Sequence, residues 1–124
     1  MILITDGLAQ SAGGGQEGDV FVQGNGVKAI LEDGVMKLMD RRAFAGSIAT
    51  MSRTIQIMVT QAQVPLIEAV RMATANPAAR IGAQTKGVLA PGMDADIAVL
   101  DTNFEVCYTI TGGKLVYVKG EKTA

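Results

Sequence analysis

The sequence predicts a mixed α/β chain, and three patterns carry that expectation. The chain opens on an apolar run, Ile2-Leu3-Ile4, that stops at Thr5-Asp6-Gly7, as a strand buried on both faces does in a parallel sheet. Two stretches in the middle repeat apolar residues at helical spacing. The last third alternates short β-rich runs with glycine turns.

Taken in order, the opening strand puts Asp6 at its carboxyl end, the edge at which ligands bind in parallel α/β proteins. Asp followed by Gly is also ordinary turn chemistry, so Asp6 has a plain structural reading as a turn residue. Ser11 to Gly15 is too glycine-rich to continue a regular element. Residues 19–23 (DVFVQ), 27–31 (VKAIL) and 35–39 (VMKLM) are short apolar runs separated by Gly24-Asn25-Gly26 and Glu32-Asp33-Gly34. Asn-Gly and Asp-Gly connections of this length predict a β-meander. In AFAGSIATMSRTIQIMV, Ser47 is the expected N-cap, and Ile48, Met51, Ile55, Met58, Val59 and Ala62 share one helical face. Pro65 opens a second helix with Leu66, Ala69, Val70 and Ala73 inward and Glu68 and Arg71 outward. Asn76-Pro77 is expected to end it, with residues 77–81 forming one further turn stopped by Gly82.

The tail reads as strands over residues 96–101 and 105–111, then a Gly112-Gly113 turn into residues 114–118. In the middle strand Val106, Tyr108 and Ile110 are expected on one face and Cys107, Thr109 and Thr111 on the other. Three strands alone are marginal in water, so this sheet needs a partner.

Composition bounds the function. A net charge of -1 from 11 basic and 12 acidic residues gives no footprint for nucleic acid or an anionic membrane. A single cysteine, Cys107, excludes an internal disulfide and fits a reducing compartment. No apolar run reads as a signal peptide or membrane span, so the expected location is cytoplasmic. With no histidine and one cysteine, nitrogen and sulfur ligands for zinc are missing. Of the remaining motifs, Met51 and Met58 fall on the helical stripe and read as core. Gly13-Gly14-Gly15 lacks the lysine and the following helix of a phosphate loop. Asp94 and Asp96 are too few oxygens for calcium and read as turn residues.

In order, the pieces TDG, FAGSIATM, AVRMATANPAARIG, KGVLAPGMDADIAVLD and TITGGKLVYVKG resemble the carboxyl-terminal part of an amidohydrolase. The tail motif is shared across that superfamily. FAGSIATM, similar to the LAGS-type pattern, narrows the resemblance to the deacetylases of N-acetylglucosamine 6-phosphate, over residues 2–119. Phe44 stands where a leucine is more usual, and Gly7 where an alanine is common.

The resemblance implies the last strand and helices of a metal-dependent (β/α)8 barrel over residues 1–86, with the meander inserted, and strands of a small β-sandwich over residues 87–124. It implies that Asp6 takes a proton from a metal-bound water as it attacks the acetamide, then delivers it to the departing amine. Phe44, Ala45 and Gly46 would line the pocket near the acetyl methyl. The family uses a divalent metal, zinc or iron, held by a glutamate and histidines from earlier strands, and an amino-sugar phosphate substrate. A full barrel needs about 250 residues. The chain is therefore expected to be part of a deacetylase, binding no metal and inactive alone, and to associate as a homo-oligomer through its open strand edges. Other expectations from the same residues are part of a dihydroorotase-like cyclic amidase, or a non-catalytic remnant serving structure or interaction.

Overall fold

The computed structural model describes residues 1–13 and 15–121; Gly14, the middle of the glycine run, lies outside them. The described residues form two compact units, residues 5–50 and residues 1–4 together with 51 onward. The chain is mixed α/β, as the sequence predicts.

The first unit is the meander. Strands β1 (Val20–Val22), β2 (Lys28–Glu32), β3 (Val35–Leu38) and β4 (Phe44–Gly46) form one antiparallel sheet in chain order. Asp33 and Gly34, at φ 57° and 71°, make the two-residue primed turn between β2 and β3 that the Asp-Gly pair favours. Alternation along β2 and β3 buries Ala29, Leu31 and Met36, and Leu8, Phe21, Ala45 and Ile48 pack around them. The fourth strand is unexpected. FAG pairs with β3, with a register shift at Met36 and Lys37, instead of leading straight into a helix.

That pairing changes the role of Ser47. It is not an N-cap: its Oγ accepts the N–H of Ala49 at 3.0 Å, a local turn, and the helix begins four residues later. Ile48 accordingly packs on the meander core and not on the helical stripe. The glycine-rich stretch also differs from expectation, because Ala9–Ala12 closes a 3-10 turn that ends at Gly13 with φ 115°.

In the second unit, α1 (Met51–Thr60) packs on α2 (Leu66–Ala73), and α2 on α3 (Ala75–Arg80). Ile55, Ala69 and Ala78 are the buried residues of the three helices. Ala62 lies beyond α1, and Leu66, the first residue of α2, is exposed rather than inward. Pro65 precedes α2, and its carbonyl accepts the N–H groups of Glu68 and Ala69. The helix ends at Thr74, two residues before Asn76-Pro77, where φ -129° and ψ -85° leave the helical region. Pro77 falls in the first turn of α3, where its missing N–H has no intrahelical partner to lose. Gly82, at φ 72°, follows the helix end as expected.

Ile2 to Ile4 forms no strand among the described residues, and Ile2 and Ile4 are exposed rather than buried on both faces. The N–H of Leu3 donates instead to the Met72 carbonyl of α2 at 2.9 Å, and the Asn76 amide donates to the Met1 carbonyl. Strand assignment needs a ladder, and this segment has a helix for a neighbour.

The tail forms a three-stranded antiparallel sheet of β5 (Ile97–Leu100), β6 (Val106–Thr111) and β7 (Lys114–Val118). Gly112 and Gly113, at φ 55° and 78°, supply the primed turn. A register shift at Thr109 and Ile110 breaks the expected alternation of β6, so these two neighbours are both half-buried. Val99, Tyr108, Leu115 and Val116 are exposed on this sheet.

Candidate functional site

Asp6 leaves the opening segment with φ 46°, in the left-handed region. Asp tolerates that region better than most residues, but the conformation persists only where neighbours impose it. Here they do. Gly7 and Ser47 form a parallel bridge in which the Ser47 N–H donates to the Asp6 carbonyl at 3.4 Å and the Leu8 N–H donates to the Ser47 carbonyl at 2.8 Å. The TDG and FAGS segments thus run side by side, and the Asp6 side chain is exposed at their common end.

The three residues predicted beside Asp6 have separate roles. Phe44 is 74% exposed. Ala45 packs on the meander core, and its carbonyl accepts the Gln23 side-chain amide at 2.7 Å. Gly46 sits at φ 136°, with the Leu8 side chain over its bare α-carbon: a Cβ there would lie 2.7 Å from Leu8 Cγ. Leu8 and Gln23 carry no role in the sequence reading, and Ser47 is read there only as an N-cap. The small residues Ala45-Gly46-Ser47 were the available signal, because such a run permits close backbone approach.

A second polar cluster lies in the other unit. The Lys86 ammonium bridges Asp94 at 3.0 Å and Asp96 at 2.5 Å, and the Thr85 hydroxyl donates to Asp94. Asp96 also accepts the Gly112 N–H at 2.8 Å, so the aspartate caps the β6–β7 turn. Hydrogen bonding to Lys86, then to Thr85, holds the Asp94 carboxyl below its usual range; Lys86, then the Gly112 N–H, does so for Asp96. Lys86 is raised in return, mainly by Asp96. The sequence reading of Asp94 and Asp96 as turn residues bonding their own backbone is corrected: both carboxylates clasp Lys86, and Asp96 reaches the Gly112 N–H far along the chain.

Among the described residues no three His, Cys, Asp or Glu side chains come together to hold a metal ion. The sequence has no histidine and one cysteine, so this chain's own donors do not fit a zinc centre built on nitrogen and sulfur ligands. No helix among the described residues is long and apolar enough to cross a membrane.

Residues 20–116 match the family model described as Amidohydrolase family. A curated N-acetylglucosamine-6-phosphate deacetylase of Lysinibacillus sphaericus is 32% identical over 115 residues, covering 93% of this chain and 28% of that protein. An adenine deaminase of Methanothrix thermoacetophila is 43% identical over 58 residues, 47% of this chain and 10% of that protein. The crystal structure of the N-acetylglucosamine-6-phosphate deacetylase from Pasteurella multocida superposes with a TM-score of 0.83 at 27% identity, over 92% of this chain and 29% of that one. The chain therefore spans less than a third of the length of these relatives, and the resemblance read from TDG, FAGS and the GVLAPGMDAD tail is the likeness found here. The family generally depends on a metal. The chain belongs to the amidohydrolase family.

Proposed function

We propose that this chain supplies the proton-carrying part of an N-acetylglucosamine-6-phosphate deacetylase, which hydrolyses the acetamide to glucosamine 6-phosphate and acetate. The observation that carries the reading is the bridge that sets Asp6 at the end of the paired TDG and FAGS segments. Similarity over 93% of the chain to a deacetylase supports it. In this reading the Asp6 carboxylate accepts a proton from the attacking water. It then returns that proton to the amine nitrogen as the C–N bond breaks. Phe44, Ala45 and Gly46 bound the space near the acetyl methyl, and the substrate is an amino-sugar phosphate. The chain's own donors do not fit a zinc centre built on nitrogen and sulfur ligands, so its part is limited to proton transfer and positioning.

The same reading divides the chain into barrel residues 1–86 and sandwich residues 87–124, in a cytoplasmic enzyme consistent with the lone Cys107. The exposed Val99, Tyr108, Leu115 and Val116 support association of this chain through its sheet, as a homo-oligomer when it stands alone. The shorter match to an adenine deaminase favours a second reading, another amidohydrolase of the same superfamily.

The test supplies the remaining length as the amino-terminal part of the Pasteurella multocida deacetylase. Acetate release from N-acetylglucosamine 6-phosphate is expected, and Asp6→Asn should lower kcat by about 10²–10⁴-fold with KM little changed. Turnover that survives Asp6→Asn overturns the role of Asp6, and ammonia release from adenine without acetate release selects the second reading.

A further inference from the structure

We propose that Leu8 is a positioning residue for Asp6, with the bare α-carbon of Gly46 as its seat; this rests on the reading of Asp6 as proton carrier. Four observations within residues 5–50 converge on it. Asp6 is held at φ 46°, a conformation with a cost of its own that neighbours must maintain. The bridge that maintains it uses Leu8 directly, whose N–H donates to the Ser47 carbonyl at 2.8 Å. The Leu8 side chain packs on the buried cluster of Ala29, Leu31 and Met36, which ties the bridge to the core of the meander. Finally, its Cγ and both methyl carbons lie 2.7–2.9 Å from where a Gly46 Cβ would stand. Only glycine at 46 lets the two segments approach this closely.

Behind Leu8, the Ser11 hydroxyl and N–H both donate to the Leu8 carbonyl, at 2.7 Å and 2.9 Å, closing the 3-10 turn. Leu8 is thus fixed by backbone on both sides and by its side chain below. The carboxylate two residues earlier inherits that orientation. The inserted meander, which contributes no reacting atom, thereby serves as the platform against which a proton carrier is aimed.

The test is solution NMR on the 124-residue chain and its Leu8→Ala, Leu8→Met and Gly46→Ala variants. A left-handed φ shortens the distance between a residue's own N–H and Hα, so Asp6 should show a strong intraresidue cross-peak. Leu8→Ala is expected to weaken that cross-peak several-fold and to speed exchange of the Leu8 and Ser47 amides by ~10-fold or more, leaving amides of β2 and β3 protected. Gly46→Ala should do the same, and Leu8→Met should restore the native signature. An unchanged Asp6 cross-peak in Leu8→Ala overturns the proposal. So does an equal loss of protection across β2 and β3, which would make Leu8 a core residue and nothing more. In the complemented enzyme Leu8→Ala should lower kcat by ~10-fold at constant KM. If the NMR result holds while Asp6→Asn leaves turnover intact, the catalytic reading has failed and the positioning geometry has not.

Discussion

Gly87→Ala tests how the tail motif is locked to the helices. Gly87 opens the GVLAPGMDAD segment at φ 92°, and a Cβ there would lie 2.8 Å from Ala78 Cβ, 2.9 Å from Ala75 Cα and 3.0 Å from the Thr74 carbonyl oxygen. Two of these three atoms are backbone, and Ala78 is buried on α3, so nothing at the contact is the far end of a flexible side chain. Left-handed backbone in a non-glycine residue costs roughly 1–2 kcal/mol. Overpacking against fixed neighbours adds about 1–3 kcal/mol. The lower entropy of the unfolded alanine variant returns roughly 0.4–1 kcal/mol. The net expectation is a destabilisation of about 2–4 kcal/mol, a large share of the stability of a small protein. Urea unfolding followed by circular dichroism measures it as a lower midpoint at unchanged slope. Gly92→Ala is the internal control. Gly92 also has a positive φ, 84°, yet nothing lies within 4 Å of its Cβ position, so its cost should be about 0–1.6 kcal/mol, the backbone share less the same entropy return. Equal losses for the two variants, or a Gly87→Ala loss below about 0.5 kcal/mol, would refute the close-packing argument.

The Lys86 clasp makes stability sensitive to acid. Asp94 and Asp96 have carboxyls held below their ordinary value of 3.8, so their contribution is complete above that value and is lost as pH falls through the lower folded values. Lys86→Met should flatten the fall in Tm below about pH 4, and parallel curves for variant and parent would show that the clasp is inert. The chain alone, with zinc or iron added, is expected to release no acetate from N-acetylglucosamine 6-phosphate, and metal-dependent turnover by the pure chain refutes this. Light scattering on dilute protein should give a dimer or larger species; a folded monomer at low micromolar concentration would show that the β5–β7 sheet needs no second copy.

The meander and the tail strands were legible because their signals are local. Asp33-Gly34 and Gly112-Gly113 each require two positive φ angles, and the residues that provide them stand in adjacent positions. Helix existence was legible for the same reason, through Ile55, Ala69 and their periodic neighbours. What escaped is the fate of segments whose partners lie far along the chain. FAGS has a reasonable helix-entry pattern, yet β3 claims Phe44 to Gly46 as a strand and the bridge to Gly7 claims Ser47. Ile2 to Ile4 has strand composition but finds a helix carbonyl at Met72. The break at Thr74 has no glycine or proline to announce it. For the candidate site, Asp6 was found from its place after an apolar run, whereas Leu8 could not be: a leucine that matters because it rests on a glycine 38 positions away leaves no mark in a one-dimensional pattern.

The bonds around the β6–β7 turn decide how this end of the molecule comes apart. Gly112 donates to Asp96 and Gly113 to the Ala95 carbonyl, while Asp94 donates its N–H to the Thr85 carbonyl. The turn amides are therefore protected by a loop rather than by their own sheet. Segment 85–96 carries an exposed Pro91-Gly92 tip that offers a protease a natural entry, but its shoulders are fastened at Thr85 and at the turn. Opening the loop bares the turn, and opening the turn releases the loop. The two should exchange their amide hydrogens together, as one cooperative unit, and cleavage at the tip should track the population of that shared open form.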